Sequence, residues 1–188
     1  MSNIFFDINK LKYLGEGCII GKSVRIRNPE RCIIGDGTII DDFTYISAEI
    51  EIGKNCHISS NVSISGGGGK FIMGDYSTLS AGVSVHCASS DYKSLSLDLP
   101  SVPIEYQFGG IVKNIYIDSF VTIGAHSCIL PGVKAMFGSA CGAYSLLKED
   151  MILDKFSLYV GIPAKKLMDR DFEEIKKSEL FKKIDFNI

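Results

Sequence analysis

An aliphatic or small apolar side chain recurs at every sixth position through most of this chain. The series runs Ile34, Ile40, Ile46, Ile52, Ile58, Ile64, then Met73, Leu79, Val85, then Ile111, Ile117, Ile123, Ile129, and on through Ala135, Cys141 and Leu147. An α-helix requires a period near 3.6 and an ordinary strand a period near 2, and this spacing satisfies neither. A fixed six-residue period specifies a solenoid of the parallel β-helix type, an all-β fold. Three hexads make one triangular coil, and successive coils pair as parallel strands about 4.8 Å apart.

The register predicts orientation. In a hexad led by aliphatic residue i, positions i and i+4 face inward, while i+1 and i+5 face out. Cys18, Cys32 and Cys56 each stand two residues before a repeat aliphatic, in the inward slot, and read as core filler. Glycine often follows the aliphatic (Gly21, Gly35, Gly53, Gly74, Gly124, Gly142), where the chain is expected to leave a strand for a tight corner. His57 is i+5 after Ile52 and His86 is i+1 after Val85, so both project outward; His126 falls at a corner.

Two interruptions break the repeat. Gly66–Gly69 with Lys70 and Phe71 expands one corner, and a long insertion occupies 87–110. Solenoid insertions gather on one face, often the binding face. Residues 1–17 are expected to form a short cap, with Phe5, Ile8, Leu11 and Leu14 as its apolar side. The β-helix is expected over 18–168 and a helical tail over 169–188, with Phe172, Ile175, Leu180 and Phe181 as its apolar face.

A chain of 188 residues suits one domain with an ample core. Its net charge of −2 implies no general attraction to nucleic acid or anionic lipid. No apolar run is long enough to span a bilayer, and the N-terminus lacks the basic and apolar regions of a signal peptide. The six cysteines form no CxxC pair and no zinc spacing, so reduced thiols and a cytoplasmic location are expected.

The hexads occur together with IGDGTIIDDFTYI, IGKNCHISSNVSISGGGG, GDYSTLSAGVSV, SSDY, IGAHSCILPGV, GAYSLLKED and YVGIPAKKL. On these segments the chain resembles the hexapeptide-repeat acyltransferases over roughly residues 15–168. The resemblance implies a left-handed β-helix, a homotrimer with sites at subunit interfaces, and acetyl-CoA as acyl donor. A narrower likeness, from IDDF to SSDY, is to acyltransferases of surface-polysaccharide biosynthesis. It implies an acceptor such as dTDP-4-amino-4,6-dideoxyglucose, with sugar-hydroxyl O-acetylation as the alternative.

Acyl transfer needs a base for the acceptor's proton and donors for the oxyanion. His57 is the first candidate base, and it matches the HIS segment of the narrower likeness; His86, beside the insertion, is the second. Asp42, of the Asp41-Asp42 pair, is a candidate for holding the acceptor amine or hydroxyl, against an ordinary turn role. Asp91 and Tyr92 are the acidic and aromatic candidates in the insertion, against loop self-packing. The resemblance places the pantetheine arm against Ala125 and Ala143, in IGAHS and CGAYS, and gives weight to Pro163, Ala164 and Lys165 through GIPAK. Lys148, Lys165 and Lys166 are candidate phosphate contacts. The Gly66–Gly69 run lacks the GK[ST] ending of a P-loop. A zinc β-helix would need three histidines converging on one metal, and the register puts His126 at a corner, away from the strand positions of the other two. No metal is expected.

Overall fold

The computed structural model describes residues 3–179 and 181. It is a three-faced parallel β-helix. The first face stacks seven short strands and the third six; the second has eight, the last of them an antiparallel addition. The six-residue series reappears as ladder register. Ile34 pairs with Ile52, Ile40 with Ile58 and Ile46 with Ile64, each 18 residues on, so one coil is three hexads.

The core is a triangular prism of these aliphatics. Ile34, Ile40, Ile46, Ile58, Ile64, Leu79, Val85, Ile123, Ile129 and Leu147 are fully buried. Each such side chain contributes about 1.5–3 kcal/mol relative to exposure. The i+4 slot also faces in. At three such slots a hydroxyl binds the next coil's backbone: Thr38 Oγ1 donates to the Gly53 carbonyl (2.9 Å), Ser77 Oγ to Asp118 (2.8 Å) and Ser127 Oγ to Gly142 (3.0 Å). Most buried hydroxyls find such a partner; Ser139 Oγ, buried in the same slot of a later coil, has none among the described residues. Cys18, Cys32 and Cys56 fill the same prism, and burial raises the Cys32 thiol to about 11.

The glycines after the aliphatics serve a different purpose from the one expected. Gly21, Gly35, Gly53, Gly74, Gly124 and Gly142 do not have the left-handed φ of a tight turn. They are small because the next coil's corner lies directly against them: a Cβ on Gly35 would come within 2.7 Å of the Gly53 carbonyl. At many corners a left-handed residue stands three positions after the aliphatic. Phe43, Asn55, Asn61, Tyr76, Phe120, His126, Tyr144, Asp150 and Phe156 all have φ between 49° and 63°. Bulky residues are costly there, and ring stacking offsets the cost: Tyr76 stacks on Phe120 at 5.1 Å and His126 on Tyr144 at 5.0 Å.

The interruptions also fold. Ala88–Ser89 pairs antiparallel with Ile111–Val112, closing the insertion at its neck, and Leu97 bridges Phe108 farther out. Ile111 therefore lies in this ribbon, not in the prism, and the repeat resumes with Ile115 and Ile117. The glycine run makes room for the neck: Cβ atoms on Gly66 and Gly69 would strike Ala88 and Cys87, and one on Gly68 would meet Val112.

At the N-terminus the cap contains a 3-10 turn, Ile8–Lys10, and Tyr13–Leu14 already pairs with the second coil. Phe6, Leu11 and Leu14 pack on the core, whereas Phe5 is exposed. At the other end Ser157–Gly161 turns through a cis Ile162–Pro163 bond into an antiparallel strand, Ala164–Asp169. Among the described residues the tail has one continuous α-helical run, Glu173–Lys177. Phe172 stacks on Phe156 at 3.9 Å and Phe181 meets Phe120 edge-on at 6.2 Å; Leu180 lies outside the described residues.

Candidate functional site

The candidate residues divide between the two edges of the third face. The first edge joins the second face to the third. His57 stands at the end of a second-face strand, between Ile39 and Thr78 on neighbouring coils. Its Nε2 is 2.8 Å from Asp41 Oδ2, and both side chains are nearly half exposed, at 45% and 43%. Asp41 is held beside it by the ladder, since its N–H donates to the Ile58 carbonyl at 2.8 Å.

Asp42 turns the other way. Its carboxylate accepts from the Ser23 N–H (2.7 Å) and the Ser23 hydroxyl (2.6 Å), one coil back. Those bonds, the hydroxyl's first, hold its pKa below the ordinary value. Of the two aspartates, then, the one singled out from sequence ties down a corner, and the other touches the histidine. Counting could have found this: Asp41 is i+1 after Ile40, Ile40 pairs with Ile58, and His57 precedes Ile58.

The same edge continues through the later coils. Ala125 and Ala143 occupy successive corners, and the Ala125 carbonyl accepts from the Tyr144 N–H at 2.8 Å. In the following coil the chain reaches Gly161 and the cis-Pro163 turn, where the Gly161 N–H donates to Ser145 Oγ at 3.0 Å. Lys165 is exposed beyond that turn; Ala164 is buried and closes the end of the core. Lys166 is engaged by Asp169 (2.8 Å) and Asp154 (3.4 Å). His126 lies over Gly82 and under Tyr144. Small side chains in line, with a cation at their end, suit an extended donor that carries phosphates.

The second edge joins the third face to the first and carries the insertion. His86 is half-buried, with Nδ1 3.2 Å from Ser65 Oγ. Burial lowers its pKa, which favours the neutral ring. Asp91 accepts from the Lys93 N–H (2.9 Å) and from the Ser94 hydroxyl, an Asx turn within the loop, and these bonds depress its pKa. Tyr92 is 89% exposed. The pair lines a small hollow of about 100 Å³ with Leu130, Pro131 and Glu149. Lys148 is exposed on that corner, and Lys113 bridges Glu149 (2.7 Å) and Asp150.

The structure thus gathers His57, Ala125, Ala143, Pro163 and Lys165 along one edge, and His86, Asp91, Tyr92 and Lys148 along the other. His57 and His86 have different partners and do not meet within the chain. The three histidines point to three different places, and among the described residues no three histidine, cysteine, aspartate or glutamate side chains form a cluster able to hold a metal ion.

Known proteins resemble this chain in sequence and fold. Residues 31–66 match the model of the bacterial transferase hexapeptide (six repeats). The chain is 34% identical, over 176 residues, to a dTDP-4-amino-4,6-dideoxy-D-glucose acyltransferase from Escherichia coli, covering 91% of this chain and 88% of that protein. Among solved structures it is similar to AntD, an N-acyltransferase from Bacillus cereus in complex with dTDP and 3-hydroxybutyryl-CoA. The TM-score is 0.85 with 31% identity, covering 96% of this chain and 97% of that one. A hexapeptide-repeat-containing acetyltransferase from Vibrio cholerae shares the fold, with a TM-score of 0.56, 20% identity, and coverage of 87% and 76%.

Proposed function

The chain belongs to the hexapeptide-repeat acyltransferase family, and from that premise we propose that it is an acyl-CoA-dependent N-acyltransferase acting on a nucleotide-linked amino sugar of the dTDP-4-amino-4,6-dideoxyglucose type. The observation that carries this reading is an outward histidine paired to a carboxylate, on the same edge as a line of small corner residues ending in a lysine. The relative from E. coli and AntD, both named for acyl transfer, support it.

Acyl-CoA supplies an activated thioester carbonyl. The chain's own residues do the rest. Ala125, Ala143 and Pro163 keep the first edge low enough for the donor to lie against it, and Lys165 meets its phosphates. His57 takes a proton from the sugar amine as the amine attacks. Asp91 and Tyr92 serve the acceptor, the carboxylate toward the amine and the ring toward a planar or sugar face. His86, half-buried, stands at their side, and Lys148 offers an exposed charge.

Since the two groups stand on opposite edges of one face, a complete site needs the first edge of one copy against the second edge of another. A homotrimer meets this requirement with three equivalent clefts. The exposed Leu95, Leu99, Ile104 and Phe108 of the insertion favour such contact. No helix among the described residues is long and apolar enough to cross a membrane, and free thiols suit cytoplasmic work supplying lipopolysaccharide or another surface polysaccharide.

The test is thiol release from acetyl-CoA and 3-hydroxybutyryl-CoA with three acceptors: dTDP-4-amino-4,6-dideoxyglucose, its 3-amino isomer and a galactoside. Turnover confined to an amino sugar is expected. Turnover with the galactoside alone would move the reading to O-acylation, and silence with all three would overturn it.

A further inference from the structure

The orientation of the His57–Asp41 contact is specific about which ring nitrogen is which. Asp41 touches Nε2. A carboxylate ionised at neutral pH can only accept a hydrogen bond, so the nitrogen facing it must be the one that bears hydrogen. A neutral imidazole carries one N–H, which leaves the lone pair on Nδ1.

Both backbones are fixed. The His57 N–H donates to the Ser77 carbonyl at 3.0 Å and the Asp41 N–H to Ile58 at 2.8 Å, so the partners sit on adjacent rungs of one ladder. The neighbouring carboxylate cannot substitute, because Asp42 is drawn one coil back to Ser23. At nearly half exposure the pair adds little to stability. Its consequence is the direction in which the ring presents its base.

We propose that Asp41 is a positioning residue that locks His57 in the Nε2–H tautomer, making Nδ1 the nitrogen that receives the acceptor's proton. This rests on the acyltransfer reading above. As the amine nitrogen bonds to the thioester carbon and the carbon–sulfur bond breaks, one amine proton passes to Nδ1 and then to the departing sulfur, which leaves as free thiol. Atoms and charge balance with no further reactant.

The chain has three histidines, which makes a direct measurement practical. Two-bond proton–nitrogen correlation spectra of the full-length, histidine-labelled protein report the tautomer of each neutral ring, and His57→Gln assigns the His57 signals. The expected pattern is a protonated Nε2 and a bare Nδ1. Asp41→Asn should lose this preference. It should also lower kcat roughly 100-fold while leaving KM for both substrates within about twofold. Asp42→Asn should leave the His57 pattern as it is.

An Nδ1–H pattern in the unaltered protein would overturn the proposal, as would full kcat in Asp41→Asn. Should the Nε2–H pattern hold but His57→Gln turn over normally, the tautomer lock would stand and the use of Nδ1 as base would fall. The readouts therefore separate the positioning role from the catalytic reading on which it rests.

Discussion

The two edges of the third face are built by opposite means. The first, bearing His57, Ala125 and Ala143, is regular: successive coils turn without insertion, and a left-handed residue stands three places after the aliphatic at Phe43, Asn61, Gly82, His126 and Tyr144. The second is irregular: four glycines widen it and an antiparallel ribbon grows out between Cys87 and Lys113. The regular edge fixes side chains through backbone ladders and so suits a base and an extended donor. The irregular edge exposes Tyr92, Leu95 and Phe108 on a projecting loop and suits the variable part of recognition, the acceptor. A solenoid can thus keep one chemistry and change its substrate by altering only one edge.

Excising the insertion should break this division most severely. Replacing residues between Ser90 and Phe108 by a short glycine linker preserves the neck strands, Ala88–Ser89 and Ile111–Val112. Turnover is expected to fall more than about 1,000-fold, while the circular dichroism spectrum stays that of a β-helix. Retained turnover would move acceptor recognition away from the second edge.

On the regular edge, His57→Ala should lower kcat by about 100- to 10,000-fold with the thermal midpoint unchanged. Near-parental turnover would remove His57 from the base role. Gly35→Ala probes construction instead of chemistry. Its Cβ would lie 2.7 Å from backbone atoms of Gly53, so destabilisation of about 1–3 kcal/mol or more is expected in urea titration. The same exchange at Gly67, where a Cβ meets nothing within 4 Å, should be far milder.

Smaller effects distinguish the two aspartates. The pKa of Asp42 is depressed in the fold, so its bonds to Ser23 stabilise above the unfolded value, 3.8, and that contribution is lost as pH falls through the folded value. Ser23→Ala should therefore lower the melting temperature slightly at pH 7 and progressively less as acid is added below pH 4. Least affected of all should be the core thiols. Burial raises Cys32 to about 11 and Cys87 to about 12, so both should resist alkylation at pH 8 until the protein is unfolded.

Much of this architecture was legible in the residues. The six-residue period placed Ile34 through Ile64 in the prism and put His57 outside it, because a ladder of identical short strands leaves no freedom in register. The in-facing cysteines followed from the same count. Where the repeat failed, so did counting. Ile111 fits the period yet pairs with Ser89 in the ribbon, and Phe6, not Phe5, packs on the core. The tail likewise continues as a strand to Asp169 before its short helix, since the last coil's open edge requires a partner.

What the sequence by itself determined is the solenoid: its period, its inside and outside, and the place of the interruption. Only the tertiary structure decided which neighbours meet across coils. It showed that the glycines are small because another corner presses on them, that Asp42 ties a corner while Asp41 holds His57, and that His57 and His86 occupy opposite edges. The physical reason is one of range. Orientation within a hexad is set by a few successive backbone torsions, whereas these contacts join residues about one coil apart in sequence but adjacent in space, and depend on how each coil settles on the next.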